Sequence, residues 1–309
     1  MNFLQNGTLR LFRFAGITVF LHWSWFLVGA WEVTDKTNRY SSLSWNVVEY
    51  LALFGIVLLH EFGHSLACRQ VGGTAERIVL WPLGGIAFVS PPRRPGAMLW
   101  SIAAGPLVNA LLFPILGGLL LLALRQGWNH SLPDLDSLVT NIFYINLIIL
   151  VFNLLPIYPL DGGQILQSLL WFIVGRGRSL LIVSIIGFIG VAGMIGVAFF
   201  LHSIWFGFIA AFILLNCWGG LKQARALAKV EALPRRDGFF ACPSCHAAPV
   251  IGEIWGCGQC RQPFDTFASG GVCPRCGATY TATRCPDCGA LSPIQAWTLP
   301  PPVLPPTAP

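Results

Sequence analysis

The apolar run from Tyr50 to Leu59 continues without a polar break into His60-Glu61-Phe62-Gly63-His64. Few features restrict a chain more, because ionisable groups survive inside such a run only where partners or a function hold them. On a helix, positions i and i+4 share one face, so the imidazoles of His60 and His64 reach one metal ion. Glu61 stands one residue on, where it can take a proton from water activated at that metal. The competing reading is a chance pentapeptide with two hydrogen-bonded core histidines. In a membrane helix that reading needs separate partners for three polar groups, which favours the metal.

Of 309 residues, 55% are hydrophobic and 10% charged, against about 25% charged in a soluble domain. Apolar runs stop near residue 220; the chain then turns basic, and after that rich in Cys, Gly and Pro. This divides it into a membrane core (1–225), a basic linker (226–238), a Cys-rich module (239–292) and a Pro-rich disordered tail (293–309). Six stretches, 14–32, 45–68, 98–124, 138–158, 180–201 and 203–221, approach the roughly 20 residues of a helical span. The first is long enough for an anchor rather than a cleaved leader. The expected fold is therefore an all-α polytopic membrane protein of about six helices with a possible short membrane-dipping β element, followed by small zinc-ribbon modules. Ile165–Val174 is too short to span and reads as an interfacial helix or an extension of its neighbour.

Loop charge orients the core. Arg10 and Arg13, the loop holding Arg69 to Arg94, Arg176 with Arg178, and the basic stretch from Lys222 fall on one side. In the opposite loops, cations sit beside Glu32, Asp35, Asp134 and Asp136. The positive-inside rule puts both termini in the cytoplasm and His60 and His64 near that face. The net charge of +6 reads as topology-setting and lipid-facing charge rather than a nucleic-acid footprint.

Two histidines do not complete a catalytic zinc site, which takes three protein ligands. Asp161 is the best third donor. It follows Pro156 and Pro159, which interrupt helical hydrogen bonding, and precedes Gly162 and Gly163, which allow a tight turn. Asp161 as a cap for the helix that follows is the alternative. His22, in the first apolar run, reads as a structural residue before it reads as a metal contact.

Eight of the ten cysteines form four CxxC knuckles: Cys242/Cys245, Cys257/Cys260, Cys273/Cys276 and Cys285/Cys288. Two knuckles close one tetrahedral zinc site of four thiolates, so four knuckles give two structural sites. The simplest pairing is in order, first with second and third with fourth; interleaved pairing is equally compatible with the spacing. His246 beside Cys245 is a competing donor. Disulfides would need an oxidising compartment, against the orientation from loop charge. Cys68 and Cys217, at span ends, read as small buried hydrophobes. The tail's arginines are scattered, which argues against nucleic acid; a protein-interaction or stability module is the better reading, docking a cytoplasmic regulator or substrate.

The chain resembles the site-2 protease family of zinc intramembrane metalloproteases. The resemblance rests on His60–His64 and on Asn153-Leu-Leu-Pro-Ile-Tyr-Pro-Leu-Asp161-Gly-Gly163, with support from Ala104–Asn109, Leu80–Ala87 and Leu21–Trp25. It covers about residues 8–225 and is closest to compact, bacterial-type members. It implies zinc on His60, His64 and Asp161, Glu61 as general base, and Asn153 near a substrate that is itself a membrane protein. It also implies that Leu80–Val89, with Gly84 and Gly85, forms a membrane-dipping sheet edge to which substrate adds as a strand; a plain apolar loop is the other reading of that segment. Gly105-Pro106 with Asn109 reads as helix packing and a kink rather than chemistry. The Cys-rich tail departs from members with nucleotide- or peptide-binding regulatory domains. A bacterial cytoplasmic membrane and regulated intramembrane proteolysis are the implied setting. The rival from another class is a non-catalytic scaffold with an interaction tail, which would need the ligands but not Glu61. A transporter would need more polar midplane residues than this chain carries.

Overall fold

The computed structural model describes residues 7–35, 39–81, 84–202, 204–236 and 240–298. The chain divides into two compact units, residues 1–175 with 179–220, and 176–178 with 221–309. It opens with antiparallel strands β1 (Thr8–Phe14) and β2 (Ile17–His22), then helices α1 (Ser24–Asp35) and α2 (Leu43–Gln70). β3 (Thr74–Trp81) lies parallel to β2, Thr18 opposite Arg77 and Leu21 opposite Leu80. β4 (Gly84–Ser90) pairs antiparallel with β3, so the sheet order is β1-β2-β3-β4. Then come α3 (Pro95–Gln126), the single turn α4 (Trp128–Ser131), α5 (Pro133–Leu154), α6 (Asp161–Val174), α7 (Arg176–Phe200) and α8 (Ile204–Glu231).

Among the described residues, five helices are long and apolar enough to cross a membrane: α2, α3, α5, α7 and, from Phe206, α8. They turn apolar side chains outward; Ile115 is 65% exposed, Ile189 69% and Leu215 71%. In water that surface would cost about 25 cal/mol per Å², and in lipid it costs nothing. The chain is an integral membrane protein. On α2 the buried Glu49 is held by several donors: it accepts from Asn141 of α5 at 2.8 Å, from Tyr40, and from Arg39 at 3.3 Å.

The stretch 14–32 is not one helix. β2 alternates buried and half-buried side chains through Ile17, Val19 and Leu21, the period of two that a strand presents. The 12 residues of α1 fall short of the roughly 20 of a helical span. Strand and helix together still run antiparallel along α2. Phe14 meets Phe62 at 5.7 Å between ring centroids, whereas Trp25 meets Phe54 at 5.8 Å and Tyr50 at 5.5 Å. Leu80–Val89 is strand rather than plain loop: it belongs to β3 and β4 of a sheet that is larger than one short β element, four strands in all, with Pro82 and Leu83 outside the described residues. α5 stops at Leu154 rather than near 158 because Pro156 lacks an N–H for the next turn. Ile165–Val174 is the body of a separate 14-residue helix, α6.

The second unit is loop-rich. Two hairpins, β5 (Trp255–Gly256) with β6 (Pro263–Phe264) and β7 (Ala282–Arg284) with β8 (Leu291–Pro293), precede a 3-10 turn at Ile294–Trp297. Trp297 is fully buried, packed with Phe240 and Phe267 over Cys242 and Cys285. The chain expected to be disordered from 293 is therefore folded through Thr298; residues 299–309 lie outside the described residues. The basic stretch is tied into the same unit: Arg235 makes a two-pronged bond to Asp287 at 2.7 and 2.9 Å, and Arg236 pairs with Asp265 at 2.6 Å.

Candidate active site

α2 carries His60, Glu61 and His64 with all three side chains buried. The histidines lie one turn apart, and their Nε2 atoms are 3.0 Å from each other. Asp161, first residue of α6, sends Oδ2 to within 3.0 Å of His60 Nε2 and 3.3 Å of His64 Nε2. It is not a cap: the helix begins after Leu160, and no side chain caps it. The loop before it folds back so closely that a Cβ at Gly162 would strike the carbonyls of Leu154 and Leu155, and one at Gly163 the backbone of Ile157 and Tyr158. Those two glycines let Asp161 reach α2.

Hydrogen bonds fix what these atoms offer. His64 Nδ1 lies 3.0 Å from the Ser101 carbonyl, which can only accept, so Nδ1 carries a proton and, in the neutral ring, Nε2 holds the lone pair. His60 Nδ1 donates likewise to Asn109 Oδ1 at 2.6 Å. With both rings neutral, two nitrogen lone pairs and a carboxylate oxygen converge, an arrangement that a cation satisfies. Their separations of 3.0, 3.0 and 3.3 Å approach the roughly 3.3 Å edge of a tetrahedron with bonds of about 2.0 Å, and the donor set suits zinc. The residues present therefore fit the metal.

Glu61 is held by the sheet. Its Oε2 accepts from the Ala87 N–H of β4 at 2.9 Å, and a Cβ at Gly85 would collide with its carboxyl group. The outer edge of β4 thus faces Glu61, with Gly84 and Gly85 at its start. Asn153 is half-buried in the last turn of α5. His22 bonds Ser24 Oγ through Nδ1 at 2.5 Å and is not among the clustered donors.

α3 contributes more to the site than its sequence suggests. A Cβ at Gly105 would strike the rings of both histidines, and Asn109 holds His60. The available signal was the spacing of Ser101, Gly105 and Asn109, small or polar residues every fourth position on an otherwise apolar helix.

In the second unit the eight cysteines form two clusters, Cys242/Cys245 with Cys285/Cys288 and Cys257/Cys260 with Cys273/Cys276. The first and last knuckles pair and enclose the middle two, which replaces pairing in order. Contacts of 3.7 and 3.8 Å in the outer cluster and 3.5 and 3.7 Å in the inner one match the roughly 3.8 Å edge of a tetrahedron with 2.3 Å zinc–sulfur bonds. Cys68 and Cys217 are fully buried and bond the carbonyls of Thr74 and Tyr158.

Comparison with known proteins identifies relatives of the chain. The sequence profile of peptidase family M50 matches residues 116–197, which include the Asp161 loop. A zinc metalloprotease of Methanocaldococcus jannaschii is 33% identical over 166 residues, 54% of this chain and 46% of that one. A Synechocystis sp. protein provisionally named a zinc metalloprotease is 30% identical over 252 residues, 75% of this chain and 65% of that one. The chain belongs to the M50, or site-2 protease, family. It spans 46% and 65% of the lengths of those two relatives. A solved structure titled Site-2 Protease from Methanocaldococcus jannaschii matches with a TM-score of 0.47 and 27% identity, over 69% of this chain and 95% of that one.

Proposed function

We propose that this M50 protein is an intramembrane zinc endopeptidase that hydrolyses peptide bonds in or beside the membrane segments of other proteins. The convergence of His60 Nε2, His64 Nε2 and Asp161 Oδ2 next to Glu61, on a helix apolar enough to cross a membrane, carries the reading. Zinc on those atoms would polarise a peptide carbonyl and lower the pKa of water toward about 7. Glu61 takes the proton of the attacking water and passes it to the leaving amine. A helical substrate hides its carbonyls in its own hydrogen bonds, so it must unwind first. The outer edge of β4, which has no neighbouring strand among the described residues, supports the next step: an extended segment adds there as a strand beside Gly84 and Gly85, and Asn153 contacts its backbone. In the tail, the eight clustered cysteines hold two structural zinc ions, and the module docks a cytoplasmic regulator or the natural substrate. We place both termini in the cytoplasm of a bacterial cell and the activity in regulated intramembrane proteolysis.

The test is cleavage of membrane-segment substrates in liposomes, with zinc counted in the same preparations. Wild type should cleave and carry three zinc ions, one per donor cluster. Glu61→Gln should keep the zinc and lose about 10²–10⁴-fold in rate. Equal cleavage by both, or two zinc ions per chain, would leave the non-catalytic scaffold in front.

A further inference from the structure

The hydrogen bond from His60 does not end at Asn109. Asn109 Nδ2 donates to Asn146 Oδ1 on α5 at 2.8 Å, and Asn146 Nδ2 donates back to the Asn109 backbone carbonyl at 3.0 Å. Both asparagines are fully buried. An amide is ambiguous by itself, because oxygen and nitrogen can exchange places. Here the ambiguity is removed from one end. The backbone carbonyl can only accept, so Asn146 must turn its NH2 toward it and its oxygen toward Asn109. Asn109 must then present its NH2 to Asn146 and its oxygen to His60. His60 Nδ1 must therefore hold a proton, which leaves the lone pair on Nε2, 3.0 Å from Asp161 Oδ2.

We propose that Asn146 is a positioning residue: through Asn109, it sets the tautomer and ring orientation of His60 from a neighbouring helix. The inference rests on the zinc-site reading above and adds a role for α5 that no contact with the metal would reveal. Outer partners of metal-binding histidines are typically worth 10–100-fold in affinity. A carboxylate needs no such chain, because both of its oxygens accept. The dependence on Asn146 should therefore vanish when Asn109 becomes aspartate.

The experiment uses the full chain in detergent micelles, with zinc affinity measured by chelator competition; far-ultraviolet circular dichroism and a single elution peak on gel filtration report that the helical core of each variant is folded. Asn146→Leu should weaken the third zinc about tenfold in the wild-type background and leave it unchanged in the Asn109→Asp background. In the zinc-free protein, ¹⁵N shifts of the His60 ring should move from one tautomer to a mixture in Asn146→Leu. Asn146→Ser, too short to bridge, gives the same reading if the leucine variant does not fold. Equal weakening in both backgrounds, or an unchanged tautomer, would make Asn146 a packing residue and overturn the proposal. A wild type that binds two zinc ions fails the site reading itself; one that binds three with unresponsive variants fails only the relay.

Discussion

The helical site and the cysteine tail solve one problem in opposite ways. At the helical site the fold holds the donors: α2, α3, α5 and α6 each contribute a ligand or a hydrogen bond that orients one. In the tail, strands of two or three residues and tight turns hold the cysteines, and buried hydrophobic clusters are confined to a few residues around Trp297 and Phe264. A module with so little core depends on its metal. On the proposed reading, the membrane site is pre-organised by the protein, whereas the tail is organised by the metal it would bind.

Chelation should separate them most strongly. A structural zinc ion in a small module is worth about 10–16 kcal/mol of apparent binding free energy. Stripping all metal should expose residues 240–298 to rapid hydrogen exchange and proteolysis while α2, α3 and α5 stay protected. Equal protection of the two regions after chelation would erase the contrast.

Glycine substitutions sharpen the same contrast inside the membrane site. Gly105→Ala drives a methyl group into both histidines and should cost at least about 1–3 kcal/mol in strain, read as loss of one zinc and of cleavage. Gly85→Ala meets the Glu61 carboxyl group and should lower cleavage while the zinc count stays at the wild-type value. Zinc lost in both variants, or in neither, would show that ligands and base are not held by separate elements.

In the tail, Asp265 tests how much the protein adds without metal. It accepts from the N–H groups of Gly252, Phe267 and Ala268 and from Arg236. Burial alone would raise its pKa, but those donors outweigh burial and hold it below the usual carboxylate range. Its contribution is therefore present above the ordinary carboxylate pKa of about 3.9 and is lost as pH falls through the lower folded value. Asp265→Ala leaves several donors unmatched and should destabilise the zinc-loaded tail by about 2–3 kcal/mol in a denaturant titration above about pH 5. An unchanged midpoint would mean that the metals alone set its stability.

Which parts were legible follows from how local their causes are. His60, Glu61 and His64 declare themselves through helix periodicity, and the Asp161 loop through its prolines and glycines, all readable within a dozen residues. β2 was hidden because an apolar strand in an apolar setting has the composition of a span; its alternation shows only once β3 lies beside it. Asn109 and Asn146 are polar residues on two largely apolar helices, 37 positions apart, and nothing local joins them. Trp297 sits where proline composition speaks for disorder, and only its packing against Phe240 and Phe267 reverses that. The order in which the knuckles pair depends on the path of the chain between them, which CxxC spacing does not record.

That nested pairing makes the smallest effect the most specific. The inner site closes a loop of 12 residues between Cys260 and Cys273 and uses nothing from the outer one. The outer site must bring together Cys245 and Cys285 across 39 residues, of which 19 remain outside the inner site once that has closed. Closure entropy grows by about 0.6 kcal/mol for each doubling of loop length. Opening the inner site with Cys257→Ser should thus weaken the outer zinc by about threefold, while Cys242→Ser leaves the affinity of the inner zinc at its wild-type value. Chelator competition on the two variants reads both numbers. Reversal of the asymmetry would contradict the nesting. Loss of both zinc ions from either variant would mean one cooperative core, and a tail organised by its protein after all.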